Sequence, residues 1–291
     1  MSDIVAPDAT LAEQLRRQRV RTTLTHLSRT GDLPALPHAA TAALALARTP
    51  DADAVELCNV IGSDVGLAAR ILRIANSAAY IRRAPARSVH DAVLALGLRK
   101  TCDVLVAACF RQLYRDPGGY AQNLWNHALA VGIATEELAR TTHRLDPGTC
   151  FLPGLFHDVG RIAFLLADEA SVEVIQGLVD AGAGARPELE AEWYGFDHAE
   201  VGALLAADWG LDADQCEAIR WHHDPAHASG GRTLALLLSA ADAIATAIGC
   251  GTGIERSARD LCAELGLSEE DETGCAERVH AAFAEQRELF A

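Results

Sequence analysis

Strong helix-forming residues fill nearly every segment of this 291-residue chain, and they constrain its fold more than any single motif does. Half of the residues are hydrophobic but only 5% are aromatic, so the interior must consist mainly of Leu, Ala, Val and Ile. Ala and Leu are among the best helix formers. No segment shows the sustained alternation of apolar and polar residues that is typical of strands. The sequence therefore predicts an all-α fold.

Two breaks divide the predicted helices into lobes. Pro34 and Pro37 lie three residues apart and cannot continue a helix, and the Asp-Pro-Gly-Gly stretch at 116–119 is the clearest internal boundary. The predicted units are an N-terminal helix (1–30), a two-lobed domain (31–245) with short helices in 31–115 and longer ones in 117–245, and C-terminal helices (246–291). The predicted helices of the two lobes cover 38–49, 53–62, 64–76, 88–96, 98–115, 121–142, 149–166, 170–181, 198–208, 212–223 and 231–248.

Charge is distributed unevenly along the chain. The formal net charge of −15 argues against a general nucleic-acid binder, which needs a basic surface to neutralise phosphates. Seven basic residues and one acid lie between Arg70 and Lys100, whereas fourteen acids and two bases lie between Asp168 and Asp224. These runs are either solvated faces or docking surfaces. For the first run we expect a loop with Arg82, Arg83 and Arg87 to contact an acidic partner or a phosphorylated ligand.

Cysteine usage and hydropathy predict a soluble cytoplasmic protein. The eight cysteines form no CxxC pair and no zinc-ribbon spacing, as is usual in a reducing compartment. The N-terminus lacks the basic-then-apolar layout of a signal peptide. The longest apolar runs, such as Leu234–Leu238, are too short to span a bilayer, so no membrane contact is expected.

Seven imidazole and carboxylate side chains are candidate metal ligands, and each falls in or beside a predicted helix. They are His127, His157, Asp158, His198, His222, His223 and Asp242. Asp242 lies in an almost wholly apolar helix, where an unpaired carboxylate costs several kcal/mol unless a cation or donors meet it. His127 lies on the apolar stripe of its helix, where a lone histidine is often only a hydrogen-bonded core residue.

The other candidates are each ambiguous alone. His157 and Asp158 are adjacent; on one helix they would point about 100° apart, so both could reach one site while Asp158 bridges two ions. The pair His222-His223 could instead be a cationic cap at a helix C-terminus. Imidazole and carboxylate together suit Fe, Mn or Zn, so the ordered set predicts one or two divalent ions of this kind.

The order H…HD…H…HH…D resembles the HD superfamily of metal-dependent phosphohydrolases, in the longer form shared with HD-GYP phosphodiesterases. Further segments at 33–37, 63–80, 88–97 and 198–209 resemble the HDOD domain (the HD-related output domain) of bacterial signalling proteins, and Asn76-Ser77 is specific to that family. The resemblance covers about residues 30–245. It implies an all-helical fold and a regulatory role, often without demonstrated chemistry.

The chain departs from the catalytic relatives at three places. Arg161 replaces their Lys after the HD-x-Gly motif, and the Gly-Tyr-Pro stretch after His223 is missing. Asn123 stands where three-metal members have Glu. The resemblance therefore favours two metal ions over three and lowers the expectation of cyclic dinucleotide hydrolysis.

Two functions from different classes follow. The first is a signal-transduction module that acts through contacts with a signalling protein and holds a structural or sensory metal site. The alternative is a metal-dependent phosphohydrolase, in which a metal-activated hydroxide attacks phosphorus, Asp158 bridges two ions and Arg161 neutralises developing charge. Its substrate would be a phosphorylated or nucleotide ligand.

Overall fold

All regular elements are helical in the described part of the computed structural model, which confirms the all-α prediction. The structure describes residues 18–25, 36–49, 52–77, 80, 85–114, 119–251 and 256–290. Much of the predicted N-terminal helix and most of the 116–119 boundary lie outside these ranges.

The N-terminal part consists of short helices whose starts are fixed by polar caps. These helices are α1 (18–25), α2 (His38–Arg48), α3 (Ala54–Gly62), α4 (Val65–Ala75), α5 (Val89–Leu96) and α6 (Leu98–Phe110). The carboxylates of Asp53 and Asp64 accept backbone N–H groups at the starts of α3 and α4, and Ser88 forms a capping box with Asp91 at α5. Such caps satisfy N–H groups that the first turn leaves without partners.

The second part begins with one long helix and continues with shorter helices, one of which the sequence did not predict. Its helices are α7 (Tyr120–Thr142), α8 (Phe151–Phe156), α9 (Val159–Ala167), α10 (Glu169–Asp180), α11 (Arg186–Tyr194), α12 (His198–Asp208), α13 (Ala213–Arg220) and α14 (Arg232–Ala245), followed by α15 (Ala258–Glu264) and α16 (Glu269–Leu289). The prediction of one helix over 149–166 is wrong, because the chain breaks between α8 and α9 at His157 and Asp158. Helix α11 was missed.

Glycines allow the elements around this break to pack closely. A Cβ atom on Gly160 would lie 2.0 Å from the carbonyl oxygen of His198, and one on Gly154 would lie 2.8 Å from the Cα atom of Gly132. Any side chain at Gly160 would therefore push α9 away from the start of α12. For the same reason, a side chain at Gly154 would push α8 away from α7.

One continuous apolar core joins both groups of helices. It extends from Val20 in α1 to Phe290 after α16, and α7 lies within it in contact with α8, α14 and α16. Two segments, Pro147–Ala167 and Arg232–Cys250, are long and apolar enough to cross a membrane by composition alone, but 83% and 56% of their apolar windows are buried inside the protein. Most of each window is therefore packed against the rest of the protein.

Candidate metal centre

The structure brings all seven predicted ligand residues together around Asp158. His127 lies on α7, His157 and Asp158 form the turn between α8 and α9, and His198 is the first residue of α12. His222 and His223 follow α13, and Asp242 lies on α14. Five separate segments thus supply the cluster.

One group of ligand atoms surrounds His127. Its Nε2 atom lies 3.2 Å from Nε2 of His157, 3.3 Å from Oδ1 of Asp242 and 3.6 Å from Oδ2 of Asp158. The atoms contributed by His127, His157 and Asp158 all lie within 4.8 Å of one another. A single ion with bonds of about 2 Å fits among ligand atoms at this spacing.

A second group surrounds the other oxygen of Asp158. Its Oδ1 atom lies 3.1 Å from Nε2 of His198 and 3.8 Å from Nε2 of His222. The Nε2 atoms of His198 and His223 are 2.8 Å apart. Together these four residues also present ligand atoms within 4.8 Å of one another. Asp158 belongs to both groups and is the residue that joins them.

Four of the histidines are oriented by a hydrogen bond at Nδ1. The partners are the carbonyl oxygens of Cys250, Gly154 and Ile219, for His127, His157 and His222 respectively, and the carboxylate of Glu190 for His198. A carbonyl or an ionised carboxylate only accepts, so each Nδ1 donates its proton and the Nε2 atom is directed into the cluster. Metal-ligating histidines are typically held this way.

The donor set fits divalent metal ions. With their protons on Nδ1, the Nε2 atoms of His127 and His157 approach to 3.2 Å as two lone pairs, and nothing but a cation or an added proton can stabilise that contact. Among the described residues, the buried atoms His222 Nε2 and Asp242 Oδ1 have no hydrogen-bond partner. Buried polar atoms are normally satisfied, so these two are natural positions for metal ligation.

Burial and neighbouring charges set the protonation of the central residues. Burial lowers the pKa of His157 to about 4, which leaves it neutral and able to ligate. Burial alone would raise the pKa of Asp158, but His157, Arg161 and His198 outweigh it and hold that pKa well below its usual range. Asp158 is therefore an anion at neutral pH.

Arg161 is buried beside Asp158. Its Nη1 atom donates to Oδ2 of Asp158 at 2.8 Å, and its Nη2 atom donates to the hydroxyl of Tyr120 at 3.1 Å. Both terminal nitrogens are thus engaged within the protein. The guanidinium holds the shared carboxylate in place.

Glu190 contacts a candidate ligand, His198, and the sequence analysis missed it. It lies on α11 and is only 2% exposed, although it belongs to the acidic stretch that the sequence analysis interpreted as either a solvated face or a docking surface. Burial raises its pKa, but His198 and Arg161 outweigh that effect and lower it, so Glu190 is ionised. The signal available in the sequence was its position eight residues before His198, which is weak.

The cluster opens on the side of Asp242. That side chain is 22% exposed, whereas those of Asp158 and His127 are 6% and 0% exposed. His223 is also only partly buried. Asp242 and His223 are therefore the least buried of the seven residues.

Comparison with known proteins decides the family, since the HDOD domain family matches residues 33–225. The chain belongs to the HDOD domain family. A solved HDOD domain protein of unknown function from Geobacter sulfurreducens is similar over 94% of this chain and 98% of its own, with 26% identity and a TM-score of 0.76. A protein from Shewanella amazonensis described as a candidate phosphohydrolase is 25% identical, with a TM-score of 0.66 over 88% of this chain and 98% of its own.

Curated relatives match parts of this HDOD chain. An uncharacterised protein of Treponema pallidum is 26% identical over 235 residues, which are 77% of this chain and 45% of the relative. Ribonuclease Y of Deinococcus radiodurans is 32% identical over 148 residues, which are 49% of this chain and 19% of the relative. The chain thus spans less than half the length of either.

The basic stretch of the HDOD chain is partly used internally. Arg70 and Arg99 donate to backbone carbonyls, and Lys100 pairs with Glu136 at 2.6 Å. Arg73 and Arg87 are exposed, while Arg82 and Arg83 lie outside the described residues. Of the described basic residues in this stretch, only Arg73 and Arg87 are therefore exposed to a partner.

Asn76 has a structural role next to this stretch. Its side-chain amide donates to the carbonyl oxygen of Ala86 at 3.0 Å and accepts the Ala86 N–H at 2.7 Å. This two-way bond mimics a backbone pair and ties the end of α4 to the segment that leads into α5.

Proposed function

We propose that this HDOD protein binds two divalent metal ions and uses them to hydrolyse a phosphate ester. The observation that carries the proposal is that Asp158 is shared by two groups of ligand atoms, one through Oδ2 towards His127 and one through Oδ1 towards His198. A carboxylate common to two groups is the arrangement a two-metal site requires. Fe, Mn and Zn are the candidate ions for such a mixed His and Asp set.

The seven candidate ligands would be shared between two ion positions. His127, His157 and Asp242 would hold one ion, His198, His222 and His223 the other, and Asp158 both. Two such ions, when bound, supply a nucleophile from water at neutral pH and offset the charge of a phosphate group. Arg161 keeps Asp158 ionised and oriented through its bond to Oδ2, and because its side chain is only 3% exposed, it acts on this carboxylate rather than on the substrate.

The substrate class is a small phosphodiester. Similarity to ribonuclease Y over 148 residues supports phosphodiester chemistry, but a net charge of −15 opposes binding of a long nucleic acid. The stretch that supplies His198, His222 and His223 is strongly acidic, with fourteen acids and two bases between Asp168 and Asp224. Attraction of the phosphate must then come from the ions themselves.

The test combines metal analysis with a hydrolysis assay. The purified protein, reconstituted separately with Fe, Mn and Zn, should hold close to two ions and hydrolyse bis-para-nitrophenyl phosphate. Asp158→Asn should lose most of the metal and the activity, whereas Glu173→Gln, an exposed charge removal on α10, should change neither. A wild-type protein that binds two ions but cleaves neither this diester nor para-nitrophenyl phosphate would contradict the catalytic part.

A second function, a regulatory module that acts through protein contacts, is supported by a different observation. Asn76, from the block that distinguishes HDOD domains, fixes the segment entering α5 and with it the exposed Arg87. We propose that the segment with Arg82, Arg83 and Arg87 contacts an acidic signalling partner. The metal centre would then have a structural or sensory role.

The second function has its own experiment. Cross-linking in the native cell should recover a partner with the wild-type protein and not with the triple Ser variant of Arg82, Arg83 and Arg87. The association rate of that partner should fall steeply with ionic strength, as expected for charge steering. Arg144→Ser, which removes an exposed charge beyond α7, is the control. Equal recovery with all three proteins would contradict the assignment of this segment.

A further inference from the structure

Glu190 contacts His198 in two ways. Its Oε2 atom lies 2.6 Å from Nδ1 of the ring and accepts the backbone N–H of His198 at 2.9 Å. One carboxylate oxygen thus fixes both the ring and the first residue of α12. Of the four histidines oriented at Nδ1, His198 is the one whose partner is a side chain, since the other three use backbone carbonyls.

The chemistry of this contact differs from that of the carbonyl contacts. An ionised carboxylate binds the imidazole N–H more strongly than a neutral carbonyl does. The carboxylate holds the imidazole proton on Nδ1. The opposite nitrogen, Nε2, then becomes a better electron-pair donor to a metal ion. That Nε2 atom faces Oδ1 of Asp158 and Nε2 of His223, which belong to the second ligand group.

The surroundings keep Glu190 in this position. It is buried, and Arg186 on the same helix lies 3.8 Å from its other oxygen. Arg186 is itself buried and donates to Gln176 on α10. Helix α11, which contributes no metal ligand, therefore carries a carboxylate aimed at the centre and a cation that holds it there.

We infer that Glu190 is a positioning residue that sets the affinity of the ion held by His198, His222 and His223, and leaves the ion held by His127, His157 and Asp242 unaffected. The inference rests on the proposed two-ion centre. Replacement of such a partner typically weakens metal binding 10- to 100-fold. The weakening should be confined to one of the two ions, because Glu190 contacts none of the residues in the first group.

The experiment compares Glu190→Gln with Glu192→Gln, which removes an exposed carboxylate from the same helix. Mn²⁺ is titrated into each metal-free protein, and bound ions are counted and examined by electron paramagnetic resonance. Wild type and Glu192→Gln should take up two ions and show the signal of a coupled pair. Glu190→Gln should hold one ion as tightly as wild type and the second about 10- to 100-fold more weakly, with the signal of an isolated ion.

Proton and nitrogen NMR of the metal-free proteins provides a readout that does not depend on any ion. The proton on Nδ1 of His198 should show the downfield shift of a short bond to a carboxylate in wild type and a clearly smaller shift in Glu190→Gln. Two equally tight ions in Glu190→Gln would overturn the inference, as would equal weakening of both ions or an unchanged His198 ring. A wild-type protein that binds no ion would instead refute the proposed function, and the inference with it.

Discussion

Replacing Asp103 with Asn should stabilise the protein at alkaline pH. Asp103 lies on α6 and is 2% exposed, and its Oδ1 atom is buried without a hydrogen-bond partner among the described residues. Burial raises the pKa of this carboxyl from 3.8 to about 7, against the opposing attraction of Lys100. The folded protein therefore holds a proton there that the unfolded chain releases.

The size and sign of the effect follow from this difference. Between about pH 4 and pH 7 the folded state binds the extra proton, so the free energy of unfolding falls as the pH rises and becomes constant above about 7. A shift of about three pKa units corresponds to roughly 4 kcal/mol at most, at about 1.4 kcal/mol per unit. Asn has nearly the same shape and no charge. The Asp103→Asn variant should therefore gain up to about 4 kcal/mol over wild type at pH 8 and almost nothing at pH 4.

The assay is urea unfolding of both proteins at intervals from pH 4 to pH 9. Glu173→Gln, an exposed charge removal, serves as the control and should follow the wild-type curve. Parallel curves for wild type and Asp103→Asn across this range would refute the reasoning, because they would mean that the buried carboxyl does not titrate differently in the two states.

Three further predictions concern the centre and the segment before α5. Strong chelators should lower the melting temperature of the metal-loaded protein, since an ion at 100 times its dissociation constant contributes about 2.7 kcal/mol; an unchanged melting temperature would exclude a tightly held ion. Gly160→Ala should cost about 2 kcal/mol or more in urea unfolding and reduce metal content, because its Cβ would overlap the backbone of His198. The matched change Gly177→Ala, in open space on α10, should instead add up to about 1 kcal/mol; equal effects would contradict the packing argument. Asn76→Ala should lose two hydrogen bonds, cost about 1–2 kcal/mol and speed hydrogen exchange at the Ala86 amide, whereas unchanged exchange would show that the bond is dispensable.

The sequence predicted the helical class and picked out seven candidate ligands that the structure brings together, but it did not predict how the HD turn is built. Apolar residues run through 149–166 at helical spacing, so periodicity alone favoured one helix. The break at His157 and Asp158 depends on Gly154 and Gly160 meeting α7 and α12, and such contacts are tertiary. The two side chains are therefore directed by a turn between helices rather than by 100° steps along one.

Helix α11 and Glu190 were missed for a related reason. The segment Arg186–Tyr194 contains a proline near its start and three glutamates, and it has little apolar periodicity. Charge runs of this kind are usually solvated faces. Only the position of α11 against α12 shows that Glu190 is buried while its neighbours Glu188 and Glu192 face water.

The π-helical turn Thr246–Cys250 connects the centre mechanically to the C-terminal helices. Gly249 adopts a left-handed conformation, and this turn brings the Cys250 carbonyl to 2.8 Å from Nδ1 of His127. A displacement of Cys250 would remove the acceptor that orients the His127 ring, and α16 contacts the helix of His127, α7, through the core. The segment after α14 thus helps to fix the orientation of one of the seven candidate ligands.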